Sequence, residues 1–149
     1  MLNPDFRDIL LSLNRAKVDF IIVGAFALSS HGRPRATGDI DIFLRNTSEN
    51  ADRVIEALRD FGAPLTNISS ADFTSDDNVV QIGVEPRRID LMTQISGVTF
   101  DEAWVNKLLV KIEDLEVFVL SRQDLLRNKS ATNRSKDKGD IAWLMENPN

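Results

Sequence analysis

The segment VGAFALSSHGRPRATGDIDIFL, residues 23–44, places two aspartates in a stretch that otherwise has the composition of a core strand. Asp39 and Asp41 alternate with Ile40 and Ile42, and successive side chains of a strand point to opposite faces. The isoleucines are therefore predicted to face the core and both carboxylates the other way. Adjacent carboxylates repel each other and are costly to desolvate. A divalent cation such as Mg²⁺, which prefers hard oxygen ligands, would remove that cost.

The segment RIDLMT, residues 88–93, supplies a third carboxylate. Arg88, Asp90 and Met92 share one face of the predicted strand. If this strand lies beside residues 39–44, Asp90 sits at the ~5 Å spacing of cross-strand neighbours. Three such carboxylates could hold two ions about 3.5–4 Å apart, as in two-metal phosphoryl-transfer sites. The alternative is a set of solvated carboxylates on an exposed face, with Asp90 in a salt bridge to a neighbouring arginine.

A glycine and a basic loop precede the aspartates. Gly24 ends a buried strand and opens a helix, where a phosphate can approach the backbone. Arg33 and Arg35 follow in the loop, and arginine pairs bidentately with phosphate. A plain packing turn and a solvated loop are the alternatives. The chain contains neither a G-K-[ST] nor a G-x-G motif. His31 is interpreted as a helix-end residue rather than a base.

Composition excludes several classes of protein. The net charge is −5, from 18 basic and 23 acidic residues, so no global basic field favours nucleic acid. Cysteine is absent and histidine occurs once, which excludes disulfide scaffolds, thiolate metal sites and multi-histidine sites. No apolar run reaches the roughly 18 residues of a membrane span, and no signal peptide is visible. A cytoplasmic protein without a membrane partner is the expectation.

The order of the predicted elements indicates the fold class. Helix-like and strand-like segments alternate as α-β-α-β-α-β-β-α-β-α-α, which favours an α/β (α+β) fold. We expect a mixed β-sheet with helices packed mainly on one face and a hairpin formed by residues 78–84 and 88–93. Strands are also expected at 19–24, 39–44 and 116–121, and the polar, ambiguous residues 63–78 are expected to contain a short helix capped at Ser69. The 149 residues are predicted to form one domain, with a core of about 18–120 and C-terminal helices at 121–149.

The C-terminal segment carries the strongest local positive charge. Two acidic residues lie among the six basic residues of this run, Arg122, Arg127, Lys129, Arg134, Lys136 and Lys138. Lys129 shares a helix face with two leucines, so it either extends along the core edge into solvent or pairs with phosphate. Asp137 is expected at the favourable first turn of the last helix. Asp140 is expected to be partly buried and paired with Lys129 or an arginine.

In combination these motifs resemble a known fold family. Strand–"VGA"–helix–"HG"–"R-x-T-x-D-I-D-I" followed by "RID" is similar to the nucleotidyltransferase fold of the DNA polymerase β superfamily. "RIDLMTQISGVTFDEAW" and "LLRNKSATNRSKDKGDI" resemble segments of the small AbiEii-type toxin nucleotidyltransferases. The likeness extends from about residue 20 to 145. The turn carries Gly24-Ala25 where that family usually has Gly-Gly or Gly-Ser.

The resemblance implies roles for particular residues. The strand carboxylates would be catalytic and would hold Mg²⁺ or Mn²⁺, with the third helping to activate the acceptor hydroxyl; these are Asp39, Asp41 and Asp90. The nucleoside triphosphate (NTP) would be bound by Gly24, Ala25, Arg35, Thr37, Lys129 and Lys136. By the pattern "NK…KD-x-x-D", Asp137 and Asp140 would be auxiliary site residues.

Three functions are consistent with this pattern. The first is a metal-dependent nucleotidyltransferase of the kind found in toxin–antitoxin pairs, which uses ATP or another NTP and acts on RNA, a tRNA 3′ end or a protein. The basic C-terminal run weakly favours RNA. The second is a catalytically inactive protein of the same fold that binds a partner such as an antitoxin. The third is an unrelated metal-dependent phosphohydrolase that uses the same carboxylates.

Overall fold

One mixed sheet organises the residues that the computed structural model describes, which are 2–35, 38–84 and 87–148. Its six strands, in the spatial order β3-β4-β2-β1-β6-β5, are β1 (Phe20–Val23), β2 (Asp39–Leu44), β3 (Val79–Ile82), β4 (Arg88–Met92), β5 (Leu108–Ile112) and β6 (Leu115–Val119). The pairs β1–β6 and β2–β4 are parallel, whereas β1–β2, β3–β4 and β5–β6 are antiparallel. The predicted α+β class, mixed sheet and β3–β4 hairpin are confirmed.

Helices connect and cover these strands. They are α1 (Pro4–Arg15), α2 (Gly24–Ser30), α3 (Ser48–Phe61), α4 (Phe100–Asn106), α5 (Arg122–Thr132) and α6 (Lys138–Glu146), with 3₁₀ segments at Ser70–Phe73 and Ser135–Asp137. The predicted short helix is the first 3₁₀ segment, where the Ser69 backbone N–H donates to Asp72 at 2.9 Å. Within the described ranges, no helix combines the length and apolar character needed to cross a bilayer.

The register between β2 and β4 aligns the acidic side chains. Asp41 is the Cα partner of Asp90, and Asp39 is the partner of Arg88. Ile40 is fully buried, as strand alternation predicts. The two strands thus present their charged side chains on one face, with the predicted cross-strand neighbours in place.

Helices that pack on one another and on the sheet complete the core. α1 packs against α3, and both contribute fully buried aliphatic side chains. On the strand face that carries Asp41, Phe43 meets the ring of Phe100 edge-on at 5.1 Å between centroids. Phe100 stacks on Trp104 in α4. On this face of β2, the acidic side chains are therefore followed by an aromatic cluster that begins at Phe43.

The sequence prediction missed strand β5. β5 forms an edge of the sheet and pairs with β6 alone. Leu108 and Leu109 are 45% and 58% exposed. The positions of the apolar residues in this strand therefore do not indicate which face is buried. Helical and strand periodicity are hard to separate in such a short, exposed segment.

The buried side chain of Asn50 holds the backbone at the start of β1 and at the end of β2. Asn50 is 1% exposed. Its Oδ1 accepts from the Asp19 N–H at 2.7 Å, and its Nδ2 donates to the carbonyls of Asp19 and Arg45 at 3.1 and 2.9 Å. The first turn of α3 therefore satisfies backbone groups that flank both strands.

Replacing Asn50 with alanine is expected to lower the free energy of unfolding by about 2–3 kcal/mol, because it leaves buried backbone groups unsatisfied. Urea denaturation at pH 7.5 measures this cost. Asn46→Ala is a suitable control, since Asn46 donates to Asp76 in an exposed hydrogen bond and its loss should cost under about 1 kcal/mol. Equal costs for the two variants would contradict this account of Asn50.

Candidate active site

A cavity of about 620 Å³ lies over the acidic face of β2 and β4. It brings together most of the residues that the sequence predicted for a site. Those that line it are Gly24, Ala25, Arg35, Asp39, Asp41, Asp90, Lys129, Lys136 and Asp137. Asp140 is buried next to this lining and contacts two of its members. The remaining predicted residue, Thr37, lies outside the described residues.

The glycine turn makes room for Asp41. Gly24 is the first residue of α2 and has φ +69°, a conformation that other residues adopt at a cost of about 1–2 kcal/mol. A Cβ at this position would collide with Asp41 Oδ2 and lie 3.2 Å from Asp41 Cγ. Glycine is therefore required both by the turn and by the carboxylate that the turn faces.

The three carboxylates carry more negative charge than the neighbouring Arg88 balances. Burial, followed by the charge of Asp90, a hydrogen bond with Asp90 and the charge of Asp39, raises the pKa of Asp41 from 3.8 to about 6. Arg88 acts in the opposite direction on this pKa. One guanidinium among three carboxylates leaves a local excess of acid at neutral pH.

Arg88 bridges the carboxylates of Asp39 and Asp90. Its Nη2 lies 3.0 Å from Asp39 Oδ2, and its Nε donates to Asp90 Oδ1 at 2.8 Å. The same Nη2 donates to Asp90 Oδ2 at 3.2 Å. Arg88 can make both contacts because it pairs with Asp39 across the strands and precedes Asp90 by two residues on the same face.

The donor set fits a divalent cation. Carboxylate oxygens are the ligands that Mg²⁺ and Mn²⁺ prefer. Burial, and after it the neighbouring carboxylates, raise the pKa of Asp41, and a bound cation would offset both effects. As the side chains are placed, no three acidic or histidine side chains in the described parts of the chain are arranged to hold a metal ion.

The opposite wall of the cavity is cationic and is anchored in the C-terminal helices. Lys129 of α5 is 8% exposed, and its Nζ lies 3.2 Å from both Asp137 Oδ1 and Asp140 Oδ2. Burial opposes ionisation of Asp137, but hydrogen bonds from Thr132, Arg134 and Lys129 outweigh it and lower the pKa to about 2. Both aspartates are therefore ionised at neutral pH.

Asp140 ties the basic loop to the C-terminal helices. It is 2% exposed and accepts from Arg35 Nη1 at 2.5 and 2.6 Å and from Arg33 Nε at 2.9 Å. Burial would raise the pKa of Asp140, yet the hydrogen bonds from Arg35, Lys129 and Arg33 lower it. Asp140 thus holds the loop that precedes β2 against α6.

These contacts decide between the alternatives at four positions. The predicted pairing of Asp140 is confirmed, and His31 is a helix-end residue that caps α2 and whose Nε2 lies 2.7 Å from the Leu120 carbonyl oxygen. Extension of Lys129 into solvent is wrong, because two buried carboxylates hold its amine. Asp137 directly precedes α6, but its side chain makes no capping hydrogen bond. Asp137 therefore lies at the start of the helix as expected, and its side chain in addition contacts Lys129, Thr132 and Arg134.

Two cations on the cavity were not predicted as site residues. Arg88 and Arg134 both line it. A signal for Arg88 was present, because a residue two positions before Asp90 must share its strand face. No comparable signal marked Arg134, whose position depends on the 3₁₀ turn between α5 and α6.

Comparisons with known proteins identify the family of this chain. Residues 5–144 match the profile of the family described as "Nucleotidyltransferase of unknown function (DUF6036)". No curated protein sequence matches the chain at a significant level.

Solved structures show the same fold. TM1012 from Thermotoga maritima, provisionally assigned as a nucleotidyltransferase, has a TM-score of 0.65 at 19% identity over 98% of this chain and 96% of its own. The lincosamide antibiotic adenylyltransferase LnuA, bound to lincomycin, has a TM-score of 0.62 at 16% identity, covering 97% of both chains. The antibiotic-resistance factor ANT(2″)-Ia has 0.63 at 13% identity, over 97% of this chain and 83% of its own.

Proposed function

The chain belongs to this nucleotidyltransferase family, and we propose that it is a metal-dependent enzyme that transfers a nucleotidyl group from an NTP to an acceptor hydroxyl. The observation that carries the proposal is the placement of Asp39, Asp41 and Asp90 on one face of the parallel strands β2 and β4, inside a cavity that is also lined by cationic side chains. Carboxylates that hold Mg²⁺ and cations that neutralise phosphate are the parts that phosphoryl transfer requires.

The proposed roles follow from position. Asp39 and Asp41 would hold Mg²⁺ or Mn²⁺, with Asp90 as a third ligand. A bound ion would neutralise the charge that develops on the phosphate oxygens. Asp90 would also accept the proton of the acceptor hydroxyl, whose oxygen attacks the α-phosphorus while pyrophosphate leaves. Gly24 leaves space for the triphosphate beside Asp41.

The cationic wall would bind the triphosphate. Lys129 and Arg35 already face carboxylates there, and Lys136 is exposed on the same cavity. Lys129 and Lys136, with Asp137 and Asp140, support a kinship with the AbiEii-type toxin nucleotidyltransferases. On that basis we propose RNA, including a tRNA 3′ end, or a protein as the acceptor, and an antitoxin as a partner.

Transfer of label tests the proposal directly. The purified protein is incubated with Mg²⁺ and each of the four NTPs labelled at the α-phosphate, with total RNA, total protein or small hydroxyl compounds as acceptor. Lincomycin is included because LnuA binds it. Label is expected in one acceptor class with the wild type and not with Asp39→Ala/Asp41→Ala. The absence of transfer from every NTP to every acceptor would overturn the proposal.

Gly24→Ala is expected to weaken binding of Mg²⁺–NTP at least about tenfold, the effect of roughly 1.4 kcal/mol, because the added methyl displaces Asp41. Fluorescence titration with a labelled NTP analogue measures the affinity. Gly32→Ala is the matched control, since Gly32 also has positive φ, at +106°, but a Cβ there meets nothing within 4 Å. Both variants should lose about 1–2 kcal/mol of stability. Equal affinities would contradict the role of Gly24 in the site.

A further inference from the structure

Arg88 occupies the space where the carboxylates of β2 and β4 converge. It contacts Asp39 at 3.0 Å and Asp90 at 2.8 Å, and its side chain is 26% exposed. Its guanidinium therefore uses oxygen atoms from two of the three carboxylates that the proposed function assigns to the metal. A cation and a guanidinium cannot share these oxygens in the same geometry, because they would repel each other at such short range.

The acidic cluster also depends on Arg88 in the absence of any ligand. Three carboxylates on paired strands are unfavourable without a compensating charge. Arg88 is placed to supply that charge, because its planar guanidinium contacts the carboxylates of both Asp39 and Asp90. A lysine could not make these contacts in the same geometry.

We propose that Arg88 is the resting counterion of the carboxylate site and excludes a divalent cation until the nucleotide arrives. This inference rests on the proposed function, since it concerns the same metal site. The triphosphate would offer the displaced guanidinium a new anionic partner within the same cavity, which Arg88 lines. Metal and NTP then bind with positive coupling, and metal alone binds weakly.

The coupling has a direct consequence for binding order. Without Arg88, the carboxylates lose their resting counterion but keep their oxygen ligands, so a divalent cation gains a site. Arg88→Gln removes the charge and leaves a neutral polar side chain. Arg88→Lys keeps the charge but loses the two-pronged contact. Metal affinity in the absence of nucleotide should rise from the wild type through Arg88→Lys to Arg88→Gln.

The test is titration of the full chain with Mn²⁺ alone at pH 7.5, with free Mn²⁺ measured by electron paramagnetic resonance. Arg88→Gln is expected to bind Mn²⁺ at least about tenfold more tightly than the wild type, within the usual range of site coupling. The difference should shrink when a non-hydrolysable NTP analogue is present. Arg87→Gln, which alters the adjacent exposed arginine, should behave as the wild type.

Two outcomes would overturn the inference. In the first, the wild type binds Mn²⁺ in the presence of the analogue, but neither Arg88→Gln nor Arg88→Lys binds Mn²⁺ alone more tightly than the wild type does. The other is unchanged Mn²⁺ binding when Asp39→Ala/Asp41→Ala is added to Arg88→Gln. Failure of the proposed function is a separate result: no protein, with or without the analogue, would then bind Mn²⁺ at these carboxylates.

Discussion

Replacing Asp41 with asparagine is expected to stabilise the metal-free protein at pH 7.5 while removing the proposed nucleotidyl transfer. The pKa of Asp41 is raised from 3.8 to about 6 in the folded protein, so ionisation at neutral pH disfavours the folded state. A rise of about two units corresponds to roughly 3 kcal/mol, and we expect a gain of about 1–3 kcal/mol in the free energy of unfolding. Asparagine can also keep a hydrogen bond to Asp90.

The pH dependence identifies the cause of this gain. The penalty of the ionised carboxylate is fully present above about pH 6 and fades as the pH falls towards the unfolded value of about 3.9. Urea denaturation in the presence of a chelator should therefore show a clear gain for Asp41→Asn at pH 7.5 and little at pH 4. A destabilised variant at pH 7.5, or an equal gain at both pH values, would contradict the account.

Asp39→Asn is the matched control for stability. Asp39 faces Arg88 in an ion pair, so its replacement removes an attraction and should give no comparable gain. Both variants should lower the rate of transfer, by about 10³-fold if the lost metal ligand supplies roughly 4 kcal/mol of transition-state stabilisation. The opposite effects of Asp41→Asn on stability and activity are typical of a site that is strained for function.

Lys129→Met is expected to lower the free energy of unfolding by about 3–5 kcal/mol, because it leaves buried carboxylates without one of their partners. Lys129 lies 3.2 Å from both Asp137 and Asp140. Methionine keeps the length of the side chain, so the cost reports the charge rather than a cavity. Urea denaturation at pH 7.5 gives the difference.

The control and the pH dependence make this prediction specific. Lys136→Met changes an exposed lysine on the same cavity and should alter stability by about 0.5 kcal/mol or less. Because the pKa of Asp137 is lowered to about 2, the stability that its ionised form supplies is present above about pH 4 and is lost as the pH falls towards 2. The difference in free energy of unfolding between the wild type and Lys129→Met should therefore decrease over that pH range. Similar effects of the two lysine variants at pH 7.5 would contradict the buried network.

The acidic half of the site could be predicted because strand alternation is a local rule. Asp39 and Asp41 share a face for the same reason that Ile40 and Ile42 are buried, and Asp90 needed only the pairing of two strands. Gly24 could be predicted from its place between an apolar strand and a helix. Its close approach to Asp41 could not, since that contact depends on how β1 and β2 pair.

The cationic half depends on contacts between distant parts of the chain. Asp140 binds Arg35, which lies 105 positions away, and no local pattern specifies such a pair. The side-chain contacts of Asp137 could not be predicted, because its partners lie on α5 and on the turn that follows it. Strand β5 was missed because an exposed edge strand lacks the buried face that periodicity reports. A salt bridge from Asp90 to a neighbouring arginine could be predicted, but the second contact of Arg88, with Asp39, depends on the β2–β4 register.

The central claim is that the carboxylates of β2 bind a metal–nucleotide complex, and thermal unfolding with ligand tests it most directly. Mg²⁺ together with at least one of the four NTPs is expected to raise the melting temperature of the wild type, because a ligand that binds the folded state stabilises it. Asp39→Ala/Asp41→Ala should show no such rise. No shift of the wild type with any NTP, or an equal shift in the double variant, would contradict the claim.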